Sequence, residues 1–211
     1  MTVVSLKADN VRGDEAFKAE FSDGSSFLFA TEYLPDRAGD PALWETGREL
    51  SSGEEEVFRF AAACYRAEKI ALKLVARAEQ NSLGLTVKLE RRHFDAAVAE
   101  AVVSSFLNRK LLDDRRYAEL WIRSRLSSRK ALSPRWLLVS LGKRGIDRAC
   151  SLAALKEVLD PETENALLLR YLARAKPGNV KIPGREKNKY LKTQLKFNGF
   201  SSAALERYFS D

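Results

Sequence analysis

Apolar and polar residues change their spacing near residue 50 of this 211-residue chain. Before that point they alternate as in β-strands, and Asp23-Gly24 carries a turn signal, so we predict a hairpin over residues 17–30. After it, apolar residues recur three or four positions apart, as Val98 and Val102 do, which predicts amphipathic helices. The chain is therefore predicted to be mainly α-helical, with a small amino-terminal β element.

A seven-residue pattern occurs three times in the helical part. Each copy opens with leucine, continues with a basic or polar run, has phenylalanine or isoleucine five places after the leucine, and closes with a residue suited to capping a helix. The copies cover residues 89–95, 141–147 and 195–201. Nearly even spacing is typical of helical repeats, in which each unit buries its apolar face against a neighbour. We predict three tandem three-helix repeats that form an elongated, curved array.

The predicted boundaries follow capping residues and loop-rich stretches. Ser133-Pro134 and Asp160-Pro161 combine a cap with proline at the first helical position. Residues 35–47 are rich in Pro, Gly and Asp and are interpreted as a connection anchored by Leu43 and Trp44. The predicted parts are an acidic β segment at 1–50, a linking helix at 51–67, and repeats at 68–112, 113–159 and 160–211.

The residue types needed for catalysis or metal binding are sparse. Cys64 and Cys150 lie among alanines in predicted helices and are interpreted as core residues. The single histidine, His93, stands where the other two copies have Gly145 and Gly199, so we expect it in a left-handed turn. No base then remains for a serine or cysteine nucleophile. We predict a protein that is not an enzyme and that carries no cofactor and no metal.

Two further stretches bear on function. An insertion at residues 176–185 interrupts the third repeat, but its glycines lack the spacing and the Lys-Ser/Thr of a phosphate-binding loop. No apolar run approaches the roughly 20 residues that span a bilayer. The first residues also lack the apolar stretch of an export signal. We therefore expect a cytoplasmic protein that does not engage membranes.

Basic side chains are concentrated in the middle of the chain. Residues 109–148 hold 12 basic and 4 acidic side chains, whereas residues 1–63 hold 6 basic and 13 acidic ones. Each cation that neutralises a duplex phosphate adds about 0.9 to the salt slope of DNA binding. We predict contact with DNA or with an acidic protein surface; the other interpretation is a solvated face that keeps the chain in solution. The candidate contact residues are Arg77, Lys88, Arg91, Arg92, Arg115, Arg116, Arg123, Arg125, Arg129, Lys130, Arg135, Lys143 and Arg144.

Three aromatic residues of the same region, Tyr117, Trp121 and Trp136, fit two roles. Their rings are able to stack on nucleic-acid bases. Their helical spacing, however, favours a place in the core. The pair Asp113-Asp114 before the helix is interpreted as a capping device rather than as an acid/base or metal site.

Residues 111–118, Leu-Leu-Asp-Asp-Arg-Arg-Tyr-Ala, resemble the Leu-Asp-Asp-x-Arg-Phe/Tyr-Ala signature of the RecX family of bacterial regulatory proteins. The run from Ala71 to Arg77 and the Leu-x-x-x-Gly-Ile/Phe copies extend the resemblance over about residues 54–211. His93 departs from the family's glycine, the insertion departs in the third repeat, and an arginine often found after Arg77 is missing. The residues taken as the structural signature are Leu112, Asp113, Asp114, Tyr117, Ala118 and Gly145.

The resemblance implies a monomeric, non-enzymatic modulator of RecA in DNA repair and recombination. Such a protein binds RecA and the RecA–DNA filament, limits filament extension, and damps strand exchange, ATP hydrolysis and the co-protease activity behind the SOS response. The basic middle repeat is then expected to bind DNA weakly or to face acidic RecA surface. The alternative is a helical array that binds DNA without RecA, and a weaker one is a purely structural scaffold.

Overall fold

The structure, a computed structural model, describes residues 2–8, 16–35, 46–128, 130–175 and 184–210. Within these ranges the chain is mainly helical, with a three-stranded antiparallel sheet near its amino terminus, as predicted. It divides into two compact units, Met1–Leu112 and Asp113–Asp211. The arrangement of the helices as one elongated, curved array stays a prediction.

The sheet belongs to the first unit and has the strand order β1-β2-β3. The strands are β1 (Val3–Ala8), β2 (Ala16–Phe21) and β3 (Ser26–Ala30). The predicted hairpin is present, with Phe17 opposite Phe29 and a turn in which Gly24 has a φ of 81°. A positive φ suits glycine because it has no Cβ to clash with the backbone. The anchor predicted at Leu43 and Trp44 lies outside the described residues.

Helix α1 (Ser52–Arg77) covers the sheet. It begins with a capping box, in which the Ser51 side chain accepts from the Glu54 backbone N–H and the Glu54 carboxylate accepts from the Ser51 backbone N–H. The helix is continuous, whereas the sequence predicted a linking helix ending at residue 67 and a separate one from residue 68. Glu68, at that predicted break, is buried and pairs with Arg109 at 2.6 Å. The Arg109 guanidinium thus compensates the charge of the buried Glu68 carboxylate within the continuous helix.

The remaining helices of the first unit are α2 (Ser82–Glu90) and α3 (Ala96–Asn108). Its core joins sheet and helices through aromatic rings: Phe58 lies 5.0 Å from Phe29 and 5.7 Å from Phe21, centroid to centroid, in edge-on contacts. Such contacts add to the free energy of burial. Cys64 is fully buried in this core, as predicted.

The second unit is wholly helical within its described residues. Its helices are α4 (Asp114–Leu126), α5 (Pro134–Gly142), α6 (Arg148–Val158), α7 (Pro161–Ala175), α8 (Gly184–Phe197) and α9 (Ser202–Ser210). Their inner faces share one core, which includes Ile122, Leu137, Leu141, Leu168 and Leu195. Arg170 of α7 donates to the carbonyl oxygens of Leu126 and Ser128 at 2.7 and 2.8 Å, so it closes the end of α4. The predicted insertion falls outside the described residues over 176–183.

The three copies of the seven-residue pattern form equivalent helix ends. His93, Gly145 and Gly199 have φ angles of 65°, 82° and 87°, so the left-handed turn predicted for His93 is confirmed. In each copy the backbone N–H after this residue donates to the carbonyl oxygen of the leucine that opens the pattern. This bond is typical of a helix ended by a left-handed residue. Over the described ranges, no helix is both long and apolar enough to cross a bilayer.

Candidate functional site

The two units differ in net charge. Residues 113–211 hold 21 basic and 11 acidic side chains, a net charge of +10, whereas residues 1–112 hold 15 basic and 18 acidic ones, a net charge of −3. A positive surface attracts nucleic acid and acidic proteins, and the attraction grows with the number of its exposed cations. The placement of each basic side chain in the second unit therefore decides what that unit can bind.

Helix α4 carries a basic stripe on its solvent side. Asp113 caps the helix, accepting from the Arg116 backbone N–H at 2.9 Å, and this fixes where the first turn starts. Arg116, Leu120 and Arg123 follow at spacings of four and three residues, so they share a face. All three are exposed, opposite the buried Ala118 and Ile122. We call Arg116, Leu120 and Arg123 the α4 stripe.

Arg115 lies to one side of this stripe and is committed to acidic neighbours. Its Nε donates to Glu119 Oε1 at 3.0 Å, and an Nη2 atom lies 3.9 Å from the Glu157 carboxylate. A partly neutralised guanidinium contributes less to polyanion binding.

Tyr117 was predicted either to lie in the core or to stack on bases. It is half-buried and packs against the core of the second unit.

Two predicted contact residues, Arg125 and Arg144, instead pack on Trp121. Their guanidinium carbons lie 5.1 and 4.6 Å from the Trp121 ring, and Trp121 is buried. Arg144 also donates to the Ser140 carbonyl oxygen at 2.7 Å. This cation–π packing stabilises the unit and occupies both side chains. Arg125 and Arg144 stay predicted contact residues, and the structure places both guanidinium groups against Trp121.

Trp136 does not share the buried environment of Trp121. The two rings are stacked, with centroids 6.0 Å apart and planes 20° apart, yet Trp136 is 45% exposed. Val139 follows it on the same face of α5, and Lys143 caps the carboxyl end of that helix; both are also exposed. The core interpretation is therefore right for Trp121 and wrong for Trp136, which presents a large ring to solvent.

The other predicted contact residues differ in exposure and in their partners. Lys130 and Arg135 are exposed in the second unit, and Arg129 lies outside the described residues. In the first unit, Lys88 donates to the Gln80 side chain and Arg92 donates to the Lys88 carbonyl oxygen at 2.7 Å. The remaining first-unit candidates, Arg77 and Arg91, are exposed. The described candidates thus belong to both units, with Arg77, Lys88, Arg91 and Arg92 in the first and the others in the second.

One basic and aromatic surface was missed by the sequence analysis. Helix α8 exposes Tyr190 and Phe197, and the Arg135 guanidinium lies 4.0 Å from the Phe197 ring. The signal in the sequence was a pair of aromatic residues seven positions apart, each preceded by a lysine.

The described residues offer little for catalysis. Burial raises the pKa of the Cys64 thiol to about 12, and burial likewise raises the pKa of the Cys150 thiol, so both disfavour the reactive thiolate. Among the described residues there is no group of three or more His, Cys, Asp or Glu side chains able to hold a metal ion.

A groove of about 700 Å³ in the first unit lies between Phe60, Leu34 and Arg109. Arg109 is held there by Glu32 and Glu68.

Comparison with known proteins gives the family. Residues 113–155, which span α4, α5 and most of α6, match the family model described as RecX, second three-helix domain. Regulatory protein RecX of Thermobifida fusca is 35% identical over 155 residues, covering 71% of this chain and 78% of that protein. The protein of the same name from Treponema pallidum is 39% identical over 113 residues, covering 54% of this chain and 68% of that one.

Two solved structures share the fold. A crystal structure of regulatory protein RecX has a TM-score of 0.64 at 18% identity and covers 100% of this chain and 99% of its own. The crystal structure of RecX from Lactobacillus salivarius has a TM-score of 0.52 at 19% identity and covers 70% of this chain and 95% of its own. With the identity to the Thermobifida fusca protein extending over more than three quarters of that protein, this chain belongs to the RecX family of regulatory proteins.

Proposed function

We propose that this chain is a non-enzymatic, monomeric regulator that acts in the cytoplasm by binding RecA and the RecA–DNA filament. It modulates, mostly by inhibition, filament growth, recombination, ATP hydrolysis and co-protease activity in DNA repair and the SOS response. Family membership carries this proposal. RecA modulation is the role that the family resemblance implies for its members.

The charge of the second unit supports the proposal. A RecA–DNA filament is a polyanion coated by protein, and a unit with a net charge of +10 is attracted to it over a distance set by the salt concentration. The α4 stripe places an exposed leucine between two exposed arginines. Arginine is enriched at protein interfaces. An exposed leucine between two arginines adds apolar area that a partner can bury, and phosphate contact alone does not need it. We therefore assign the α4 stripe to contact with the filament.

The test is co-sedimentation of the chain with RecA filaments on single-stranded DNA. We expect Arg116→Glu combined with Arg123→Glu to weaken binding about ten-fold or more, because charge reversal turns attraction into repulsion at an interface. Helicity, measured by circular dichroism, should not change, since both side chains are exposed. Arg148→Glu combined with Lys156→Glu is the matched control: it makes the same change in net charge on exposed positions of α6.

Equal binding by the α4 variant and the wild-type chain would remove the α4 stripe from the proposal. Equal weakening by both variants would instead show that net charge alone matters.

The alternative function, a DNA-binding helical array that acts without RecA, predicts that the chain binds bare DNA as tightly as the filament and with a steep salt dependence. The favoured function predicts that RecA is required for tight binding.

A further inference from the structure

Helix α8 presents two aromatic rings to solvent. Tyr190 is 38% exposed and Phe197 is 63% exposed, the highest value among the exposed large apolar side chains of the described residues. Positions seven residues apart lie two turns apart on one face, about 10 Å along the helix at 1.5 Å per residue. Lys189 and Lys196 precede the two rings and are also exposed. The two lysines thus form a second row, about 100° around α8 from the row of rings.

The position of the Phe197 ring is fixed by α5. The Arg135 guanidinium lies 4.0 Å from the ring centroid, and its Nη1 donates to the Phe197 carbonyl oxygen at 3.4 Å. The Arg135 backbone N–H donates to the Asn198 carbonyl oxygen at 2.9 Å. These contacts join the carboxyl end of α8 to the amino end of α5. Phe197 is therefore an exposed ring held at a defined place and backed by a cation.

Trp136 follows Arg135 directly and adds a third ring. It stacks on Trp121 and remains 45% exposed. Solitary exposed apolar side chains are common on protein surfaces and need no explanation. Three exposed aromatic rings on two joined helices, accompanied by exposed cations on the same helices, are a different pattern. It is the combination by which proteins hold unpaired bases, whose flat faces stack on the rings while cations follow the phosphates.

We propose that Trp136, Tyr190 and Phe197, together with Arg135, Lys189 and Lys196, form a stacking surface for single-stranded nucleic acid. Bases inside a duplex are stacked on one another and cannot reach rings on a helix surface, so a single strand is the form that fits. The net charge of +10 on this unit favours nucleic acid over a neutral apolar partner. Stacking accepts every base, so binding is independent of sequence.

This surface deepens the proposed function, and it rests on that function only in taking DNA as a partner of the second unit. RecA is not needed for stacking. The surface can therefore be tested without RecA, and failure of the two proposals can be told apart. If the chain stacks bases but does not affect RecA, the stacking surface is supported and the proposed function is not. If the chain inhibits RecA without stacking bases, the proposed function is supported and the stacking surface is not.

The experiment measures binding of the full chain to a labelled oligothymidylate of about 16 nucleotides and to an abasic strand of the same length, by fluorescence anisotropy over a range of salt concentrations. We expect tighter binding to the strand with bases. Phe197→Ala and Tyr190→Ala should each weaken that binding about five-fold or more without changing the salt slope. Lys189→Gln and Lys196→Gln should each lower the slope by about 0.7.

Two further variants separate stacking from structural damage. Leu169→Ala removes a comparably exposed apolar side chain from α7 and should leave binding unchanged. Phe197→Trp keeps a ring and should retain binding. Equal affinity for the two strands, or equal effects of Phe197→Ala and Leu169→Ala, would overturn the proposal. The proposal would also be overturned if Phe197→Ala or Tyr190→Ala lost binding to RecA filaments but kept full binding to the oligonucleotide. That result would assign the rings to a protein partner.

Discussion

Single residues decide where the helices of this chain begin. The Asp113 carboxylate accepts from the Arg116 backbone N–H, and the Asp147 carboxylate accepts from the Cys150 backbone N–H, both at 2.9 Å. Asp95 is the N-cap of α3 but makes no such bond with its side chain. The sequence predicts all three caps, since aspartate before an apolar periodic run marks a helix start. It does not predict which of these side chains forms the capping hydrogen bond.

This difference gives a prediction at the residue scale. Asp113→Ala and Asp147→Ala should each lower the free energy of unfolding by about 1 kcal/mol, because each leaves a backbone N–H of the first turn without its acceptor. Asp95→Ala should cost less, since its side chain makes no capping bond. Denaturant titrations followed by circular dichroism measure all three variants.

The ordering of these losses is the informative result. An Asp95→Ala variant that is destabilised as much as Asp113→Ala would show that the charge near the helix end, rather than the hydrogen bond, stabilises the helix. In that case raising the salt concentration should shrink all three effects together, because salt screens the interaction with the helix dipole.

The sequence did not predict which arginine side chains face solvent and which pack against other residues. Arg123 and Arg125 are two residues apart on one helix, yet Arg123 is exposed and Arg125 packs on Trp121. The Nε atom of Arg125 is buried without a hydrogen-bond partner among the described residues. Whether an arginine faces solvent or covers a ring depends on the neighbouring helices, which composition and charge counts do not describe.

At the scale of elements, most helices were predictable because their signals are local. Caps, prolines at the first helical position and left-handed residues all act within a few positions of the helix end. The continuous helix α1 was not predicted, because the ion pair that accommodates Glu68 joins it to Arg109, far along the chain. The exposure of Trp136 was missed for a related reason, since periodicity alone does not show which of two stacked rings is covered.

The turn at Gly199 allows a test of the joint between α5 and α8. Its φ is 87°, and a Cβ added there would lie 3.1 Å from the Arg135 backbone nitrogen. Gly199→Ala should therefore lower the free energy of unfolding by about 1–2 kcal/mol from the left-handed backbone alone. The close approach to Arg135 should add to this. Thermal or denaturant unfolding measures the loss.

Gly142→Ala is the matched control for this turn. Gly142 lies in the last turn of α5, and a Cβ there would meet nothing within 4 Å. Alanine restricts the unfolded chain and suits a helix, so this variant should be neutral or stabilised by about 0.5–1 kcal/mol. Similar losses in the two variants would contradict the account of the Gly199 turn.

At the scale of the whole molecule, charge and family point to the same partner. The match to the second three-helix domain of RecX covers residues 113–155, which hold 10 of the 21 basic and 4 of the 11 acidic side chains of the second unit. The family resemblance predicted from this region is confirmed by the match, because its signature is read directly from residue types. The surface on α8 lies outside that signature and emerged only when the placement of Arg135 against Phe197 was known.

The central claim is that the chain regulates the RecA filament. It is tested most directly by following RecA's DNA-dependent ATP hydrolysis as the chain is added in rising proportion, at fixed salt, beside binding of the chain to the same DNA without RecA. The account predicts that hydrolysis falls at ratios of the chain to RecA well below one to one, where little of the chain binds bare DNA. Inhibition that appears only when the chain saturates the DNA would contradict it and would indicate simple competition for DNA.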